Sequence, residues 1–323
     1  MNLHENKDVF TAAIQLASTP KQEGGLGIKQ IYIEKDYWIC RSLKQLSECK
    51  ETDVAVFKGG TSLSKAYLLG NRFSEDIDIA ITSDSQRTDN QTKNIISRIS
   101  KVMSAGLEEV PNPATREYSK YRKAFYRYPV TTENGIIGAI NPGQILLEIV
   151  SFANPYPYQK VFIKSFLTEY LENMGRNDII EAYGMQGFEI QVLAKSRTAT
   201  EKLVSLIRHS LSADYISELK AKIRHFYDLH FLWNDPESRA YLESAEFKTD
   251  FKALISSDQA RFKEPEGWCD KKVSDSPLVS SFDKVWSELQ ETYSKELPEL
   301  AYQTIPSPES VAESFKELSV LLK

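Results

Sequence analysis

Two carboxylates separated by one residue, Asp76 and Asp78, stand sixteen and eighteen positions after the glycine pair's second member, Gly60. They sit in the run Asp76-Ile77-Asp78-Ile79-Ala80-Ile81. In an extended strand, residues two apart share a face, so the two acids point together while Ile77, Ile79 and Ile81 point the other way. Side-by-side carboxylates repel unless a cation lies between them. Mg²⁺ suits the place, because it needs only one or two protein carboxylates and takes its other ligands from phosphate and water. The glycines of Lys58-Gly59-Gly60-Thr61-Ser62 allow backbone N–H groups to approach a phosphate closely, and a helix opening near Thr61 or Ser62 turns its positive end toward that anion. Such a pairing of phosphate cradle and acids suits nucleotidyl transfer. Either half alone is unspecific: Asp-x-Asp is usually solvated, and Gly-Gly is usually a turn.

Positioning these groups requires a strand on each side of a short helix. Val54-Ala55-Val56-Phe57 reads as the first strand, 61–70 as the helix and 75–81 as the second strand. A third carboxylate from a neighbouring strand would complete the site. Glu148 is the candidate, the lone charge in Ile145-Leu146-Leu147-Glu148-Ile149-Val150, where an unpaired ion would be costly. It acts either as base toward the attacking hydroxyl or as a metal ligand, unless it is a strand-edge glutamate facing water.

The rest of the chain supplies the frame. Helical periodicity covers 5–17, 31–49 and 90–107, and strands are expected at 121–130 and 144–152. From about residue 160 helices dominate, at 160–173, 176–183, 197–211 and 213–233, interrupted by a strand at 188–193. Phe262 to Pro277 and Leu297 to Pro308 read as connections, with a last helix opening at Pro308. A chain of 323 residues exceeds one ordinary core, so two domains are expected, 1–194 carrying the mixed sheet and 195–323 mostly helical. Three scattered cysteines make neither a disulfide framework nor a zinc site. With no signal-like apolar run, a cytoplasmic protein is expected. The net charge of −5 argues against general nucleic-acid binding. A local exception is the stretch Arg116 to Tyr128, where Lys120, Arg122 and Lys123 alternate with aromatics. Such a surface can grip RNA phosphates and stack on unpaired bases, or it is a half-buried strand whose cations snorkel over apolar neighbours.

Gly-Gly-Thr-Ser-Leu followed by Arg72-Phe73-Ser74-Glu75-Asp76-Ile77-Asp78 resembles the AbiEii family of nucleotidyltransferase-like toxins, within the polymerase-β-like nucleotidyltransferases. Glu34-Lys35-Asp36 also resembles a recurring family segment, although three charges on a helix are more simply read as a solvated face. Two further matches are Thr200-Glu201-Lys202 and Arg224-x-x-x-Asp228-Leu229, with His225 standing where the family segment commonly carries an acid. The resemblance implies an α+β fold, a nucleotidyltransferase-like mixed sheet with flanking helices followed by a mostly helical domain. It implies catalytic roles for Asp76, Asp78, Glu148, Lys202 and Asp228, with Asp76 and Asp78 on Mg²⁺ or Mn²⁺. Lys58, Gly59, Gly60, Thr61, Ser62 and Lys202 would then bind the NTP, Lys202 at its phosphates and from the helical half. It further implies the toxin of a type IV, phage-abortive toxin–antitoxin system, with a winged-helix antitoxin encoded nearby and the 3′ end of a tRNA as acceptor. The alternatives are a transferase acting on a protein or small molecule, and a nucleotide-binding interaction protein without turnover.

Overall fold

The computed structural model describes residues 2–132 and 143–322. The chain divides into two compact units, Met1–Tyr67 with Phe73–Leu193, and Leu68–Arg72 with Ala194–Lys323. The five-residue segment 68–72, which the sequence places between the cradle helix and the acid strand, thus belongs with the helical unit.

The first unit is built on a mixed sheet. Its strands are β1 (Ala55–Lys58), β2 (Asp76–Ile81), β3 (Glu108–Val110), β4 (Arg116–Tyr118), β5 (Tyr121–Arg127), β6 (Gln144–Val150), β7 (Tyr158–Ile163) and β8 (Phe188–Leu193). They run in the order β3-β5-β6-β2-β1-β8-β7, with β4 also paired to β5. β1 and β2 are antiparallel, whereas β2–β6 and β1–β8 are parallel. Residues of one sheet face, Ile77, Ile79, Ala124, Leu147 and Ile149, are buried, as the alternating pattern requires. Helices α1 (Lys7–Ser18), α2 (Gln30–Ser47), α3 (Gly59–Ala66), α4 (Asp89–Met103), α5 (Phe166–Asn173) and α6 (Asn177–Ala182) flank the sheet. α4 packs on β5 and β6, and α2 packs on α1, α4, α5 and β8.

Three expectations about this unit are corrected. The cradle helix begins at Gly59 rather than near Thr61 and ends at Ala66, because the glycines themselves form its first turn. The segment expected as helix 160–173 starts as a strand: β7 is an edge strand paired antiparallel with β8, and Ser165 caps α5 only afterwards through a bond from the Thr168 N–H. The charges of Glu34-Lys35-Asp36 are not solvated, for each residue is 1% exposed. Ile31, Tyr32, Ile33, Tyr37, Trp38 and Ile39 are buried around them, so α2 has no free face at this level.

The second unit is helical: α7 (Lys195–Ser210), α8 (Tyr215–Lys220), α9 (Ile223–Asn234), α10 (Pro236–Leu242), α11 (Ala245–Arg261), α12 (Pro277–Ser280), α13 (Phe282–Leu300) and α14 (Pro308–Leu321). Its core gathers around Phe226 of α9, whose ring meets Phe282, Trp286 and Phe315. The helix expected over 213–233 is broken into α8 and α9, which leave Ala221 and Lys222 between them. α13 continues to Leu300 through Pro298, where a connection was expected; only the last turn lies beyond the proline. Ser307 caps α14 with Pro308 at its first position, in line with the expected start. The connection after α11 is anchored by Trp268, fully buried, its indole N–H donating to the Phe262 carbonyl at 2.8 Å. Among the described residues, no helix is long and apolar enough to cross a membrane.

Candidate active site

In the first unit one register row crosses four strands. Lys58 pairs with Asp78, Asp78 with Glu148, and Glu148 with Lys123. Directly paired residues share a sheet face, so the row reads cation, acid, acid, cation. Asp76 lies on the same face two residues before Asp78. Asp76 and Asp78 are half-buried, in contrast to the fully buried Ile77, Ile79 and Ala80 around them. The two acids are therefore local, whereas Glu148 arrives from a parallel neighbour by tertiary pairing.

The glycine turn meets this row directly. Gly59 follows Lys58 with φ +81°, a left-handed conformation that side chains seldom adopt. A β-carbon there would lie 2.1 Å from Asp78 Oδ2, so only glycine lets the start of α3 approach the carboxylate this closely. No side chain of Lys58 caps α3, whose first-turn N–H groups carry the positive end of the helix dipole. Thr61 and Ser62 are buried and turn their hydroxyls inward: Thr61 donates to the Asp76 carbonyl and Ser62 to the Gly59 carbonyl. Thr61 thereby ties the cradle helix to the acid strand.

Besides Asp78, Glu148 shares its face with two residues of β5. Lys123 Nζ lies 3.9 Å from its carboxylate. Tyr121 lies on the same face two residues before Lys123, and burial first, then the Glu148 and Asp78 charges, push its phenol well above the ordinary range. Tyr121 was legible only as one aromatic in a basic stretch; its two-residue offset from Lys123, on the strand paired to Glu148, was the signal that located it. The other cations of that stretch also have acids beside them. Lys120 pairs with Asp89 at 2.8 Å, and Arg122 with both Glu109 and Glu117, at 2.7 and 2.5 Å.

A divalent ion fits the paired aspartates, two hard oxygen donors on one face beside a cradle that a β-carbon would fill. Among the described residues no group of three or more His, Cys, Asp or Glu is arranged to hold a metal.

Lys202 and Asp228 lie in the second unit, where both are buried and paired to each other at 2.8 Å. Asp228 also accepts two bonds from Arg72, Nε and Nη2 each at 2.8 Å, a bidentate fork. Although burial opposes ionisation, Arg72 and Lys202 together hold the Asp228 carboxyl below its usual range. His225, near the same ions, is pushed well below its ordinary value by burial first and then Lys202, so its imidazole is neutral at physiological pH. Asn71 donates its N–H to the Tyr227 hydroxyl at 2.8 Å and accepts from the Tyr302 N–H at 2.9 Å. Segment 68–72 is thus fastened inside the helical unit by Asp228, Tyr227 and Tyr302.

Comparison with known proteins gives the family of this chain. Structures similar to this chain include MenT4, a nucleotidyltransferase toxin from Mycobacterium tuberculosis H37Rv, at 16% identity and TM-score 0.47, covering 97% of this chain and 99% of that one. JHP933 from Helicobacter pylori is similar at 16% identity and TM-score 0.46, covering 91% and 93% of the two chains. No curated protein matches the sequence. The sequence profile described as nucleotidyl transferase AbiEii toxin, type IV TA system, matches residues 41–317, which span the glycine turn, the acid row and the Lys202–Asp228 pair. The chain belongs to the AbiEii family of type IV toxin–antitoxin systems and is a nucleotidyltransferase.

Proposed function

We propose that this protein transfers a nucleoside monophosphate from an NTP to the 3′ end of a tRNA, as the toxin of a phage-defence pair acting in the cytoplasm. The observation that carries the transfer chemistry is the approach of Gly59 to Asp78 within the row Lys58–Asp78–Glu148–Lys123. Asp76 and Asp78 would hold Mg²⁺ or Mn²⁺, which when bound shields the phosphate charge and polarises the phosphorus under attack. The Gly59 and Gly60 N–H groups hold the phosphates at the start of α3. Glu148 receives the proton of the attacking hydroxyl as its oxygen bonds to the α-phosphorus and the bond to pyrophosphate breaks, and Lys123 orients the carboxylate. Family membership implies an antitoxin; a winged-helix protein encoded beside this one fits that role. The tRNA acceptor rests on the family resemblance. The paired state of Lys120, Arg122 and Lys123 favours these side chains as braces of the sheet over a phosphate track.

The test is incubation with each α-labelled NTP in turn, Mg²⁺ and total RNA. Label in the tRNA band, removable by a 3′ exonuclease, is expected. Label on protein or on a small molecule would replace the acceptor, and nucleotide binding with no transfer to any acceptor would overturn the reading. Glu148 as base makes a separate prediction. Glu148→Gln keeps the shape and loses the proton acceptor, so kcat should fall by about a hundredfold or more with KM for the NTP nearly unchanged. Transfer at the wild-type rate would remove Glu148 from the proton transfer.

A further inference from the structure

Three consecutive charged residues of α2, Glu34, Lys35 and Asp36, are each 1% exposed. Successive helical residues are turned by about 100°, so the three side chains leave α2 in three directions. Glu34 accepts four bonds from the segment after β5: from the N–H and hydroxyl of Thr131 at 2.7 and 2.8 Å, and from those of Thr132 at 3.3 and 2.6 Å. Lys35 pairs with Glu75 at 2.6 Å. Asp36 pairs with Lys65 at 2.7 Å and accepts from the Phe166 N–H at 2.7 Å.

The partners have one thing in common. Glu75 directly precedes Asp76. Lys65 sits in the last turn of α3, whose first residue is Gly59. Thr131 and Thr132 follow the strand that carries Tyr121 and Lys123. One helix is therefore tied to the residue before the acid strand, to the cradle helix and to the segment after the strand facing Glu148. Buried ion pairs are seldom the most stable way to fill a core, because desolvation offsets the attraction. What they add over apolar packing is a fixed direction and distance between the elements they join.

We propose that Lys35 is a positioning residue for nucleotidyl transfer: through Glu75 it sets the placement of Asp76 and Asp78 relative to the cradle helix, which the neighbouring Asp36 holds through Lys65. The inference rests on the proposed metal-dependent reading of the acid pair, and the experiment separates the two. In the full chain, Lys35→Met, Glu75→Leu and the double variant are compared with Lys35→Arg. The measurements are the unfolding midpoint, kcat and KM for transfer, and Mn²⁺ affinity in the presence of a non-hydrolysable NTP analogue. Supporting shells of metal ligands are worth about 10–100-fold in metal affinity or rate. Lys35→Met should lose stability, and the double variant, which removes both members of the pair, should regain part of it. Both should keep a kcat lowered by about 30-fold or more and an Mn²⁺ affinity lowered about tenfold, with KM for the NTP nearly unchanged. Lys35→Arg, which preserves the ion pair, should restore most of the rate. If the double variant recovers kcat and Mn²⁺ affinity along with its stability, the pair is packing only and the proposal is overturned. If the wild-type protein binds Mn²⁺ with nucleotide yet transfers nothing, the proposed function fails and the Mn²⁺ affinities of the variants decide the positioning role. Should Lys35→Met not fold, the double variant still decides.

Discussion

Asp78→Ala is expected to lower nucleotidyl transfer by at least about a thousandfold, since a metal-bound carboxylate supplies several kcal/mol of transition-state stabilisation and each 1.36 kcal/mol is tenfold in rate. Asp76→Ala should behave alike, because the two acids share one face of β2. The loss should fall on kcat, with the fold retained: both side chains are half-buried on the open face of the strand, while its packing is made by Ile77, Ile79 and Ile81 on the other. The unfolding free energy of the metal-free protein should shift by no more than about 1 kcal/mol. Removing one of two like charges even favours the metal-free fold. Steady-state kinetics with labelled NTP and chemical denaturation in a chelating buffer measure both quantities. A double alanine variant with wild-type transfer would remove the acid pair from the mechanism.

Asp228→Ala should have the largest effect on stability. It leaves the guanidinium of Arg72 and the ammonium of Lys202 buried around a missing carboxylate, and breaking a buried ion pair from one side typically costs about 3–5 kcal/mol. Adding Lys202→Met should recover part of that loss by removing one of the stranded charges. The pH dependence has a definite sign. The folded-state pKa of Asp228 is depressed by Arg72 and Lys202, so its contribution is fully present above the unfolded value of about 3.9 and is lost as pH falls from there toward the folded value. Denaturation midpoints followed from pH 7 to pH 3 should therefore fall more steeply below about pH 4 in the wild-type than in Asp228→Ala. Parallel curves would show that the carboxylate carries no net stabilisation.

Segment 68–72 carries the Arg72 of this triad within the second unit. Arg72 is three residues beyond Leu69 and four before Asp76, and it is fastened to Asp228 while the strand that begins at Asp76 pairs with β1 and β6. The connection between cradle helix and acid strand is thus anchored by an ion from α9, with the backbone of Arg72 also bridged to Ala301.

The amino-acid sequence by itself determined the acid pair and the glycine turn, because both rest on local rules. A strand puts residues two apart on one face, so the shared side of Asp76 and Asp78 follows from their spacing, and the glycine pair marks a turn before them; that Gly59 stands against Asp78 was decided by the pairing of β1 with β2. The same holds for the cap of α14, where Ser307 and Pro308 announce the start. Tertiary structure decided the rest. Glu34, Lys35 and Asp36 look like a solvated face because charge ordinarily means exposure; only their partners at Thr131, Glu75 and Lys65, distant in sequence, make burial affordable. Tyr158 to Ile163 forms a strand because β8, twenty-five residues further on, offers an unpaired edge, a condition no local pattern contains. Lys202 and Asp228 were recognisable as residues of interest, but that they pair with each other and with Arg72 depends on α7, α9 and segment 68–72 meeting in one unit. Local sterics can be read along a chain, whereas the cost of a buried charge is settled only by what the fold brings beside it.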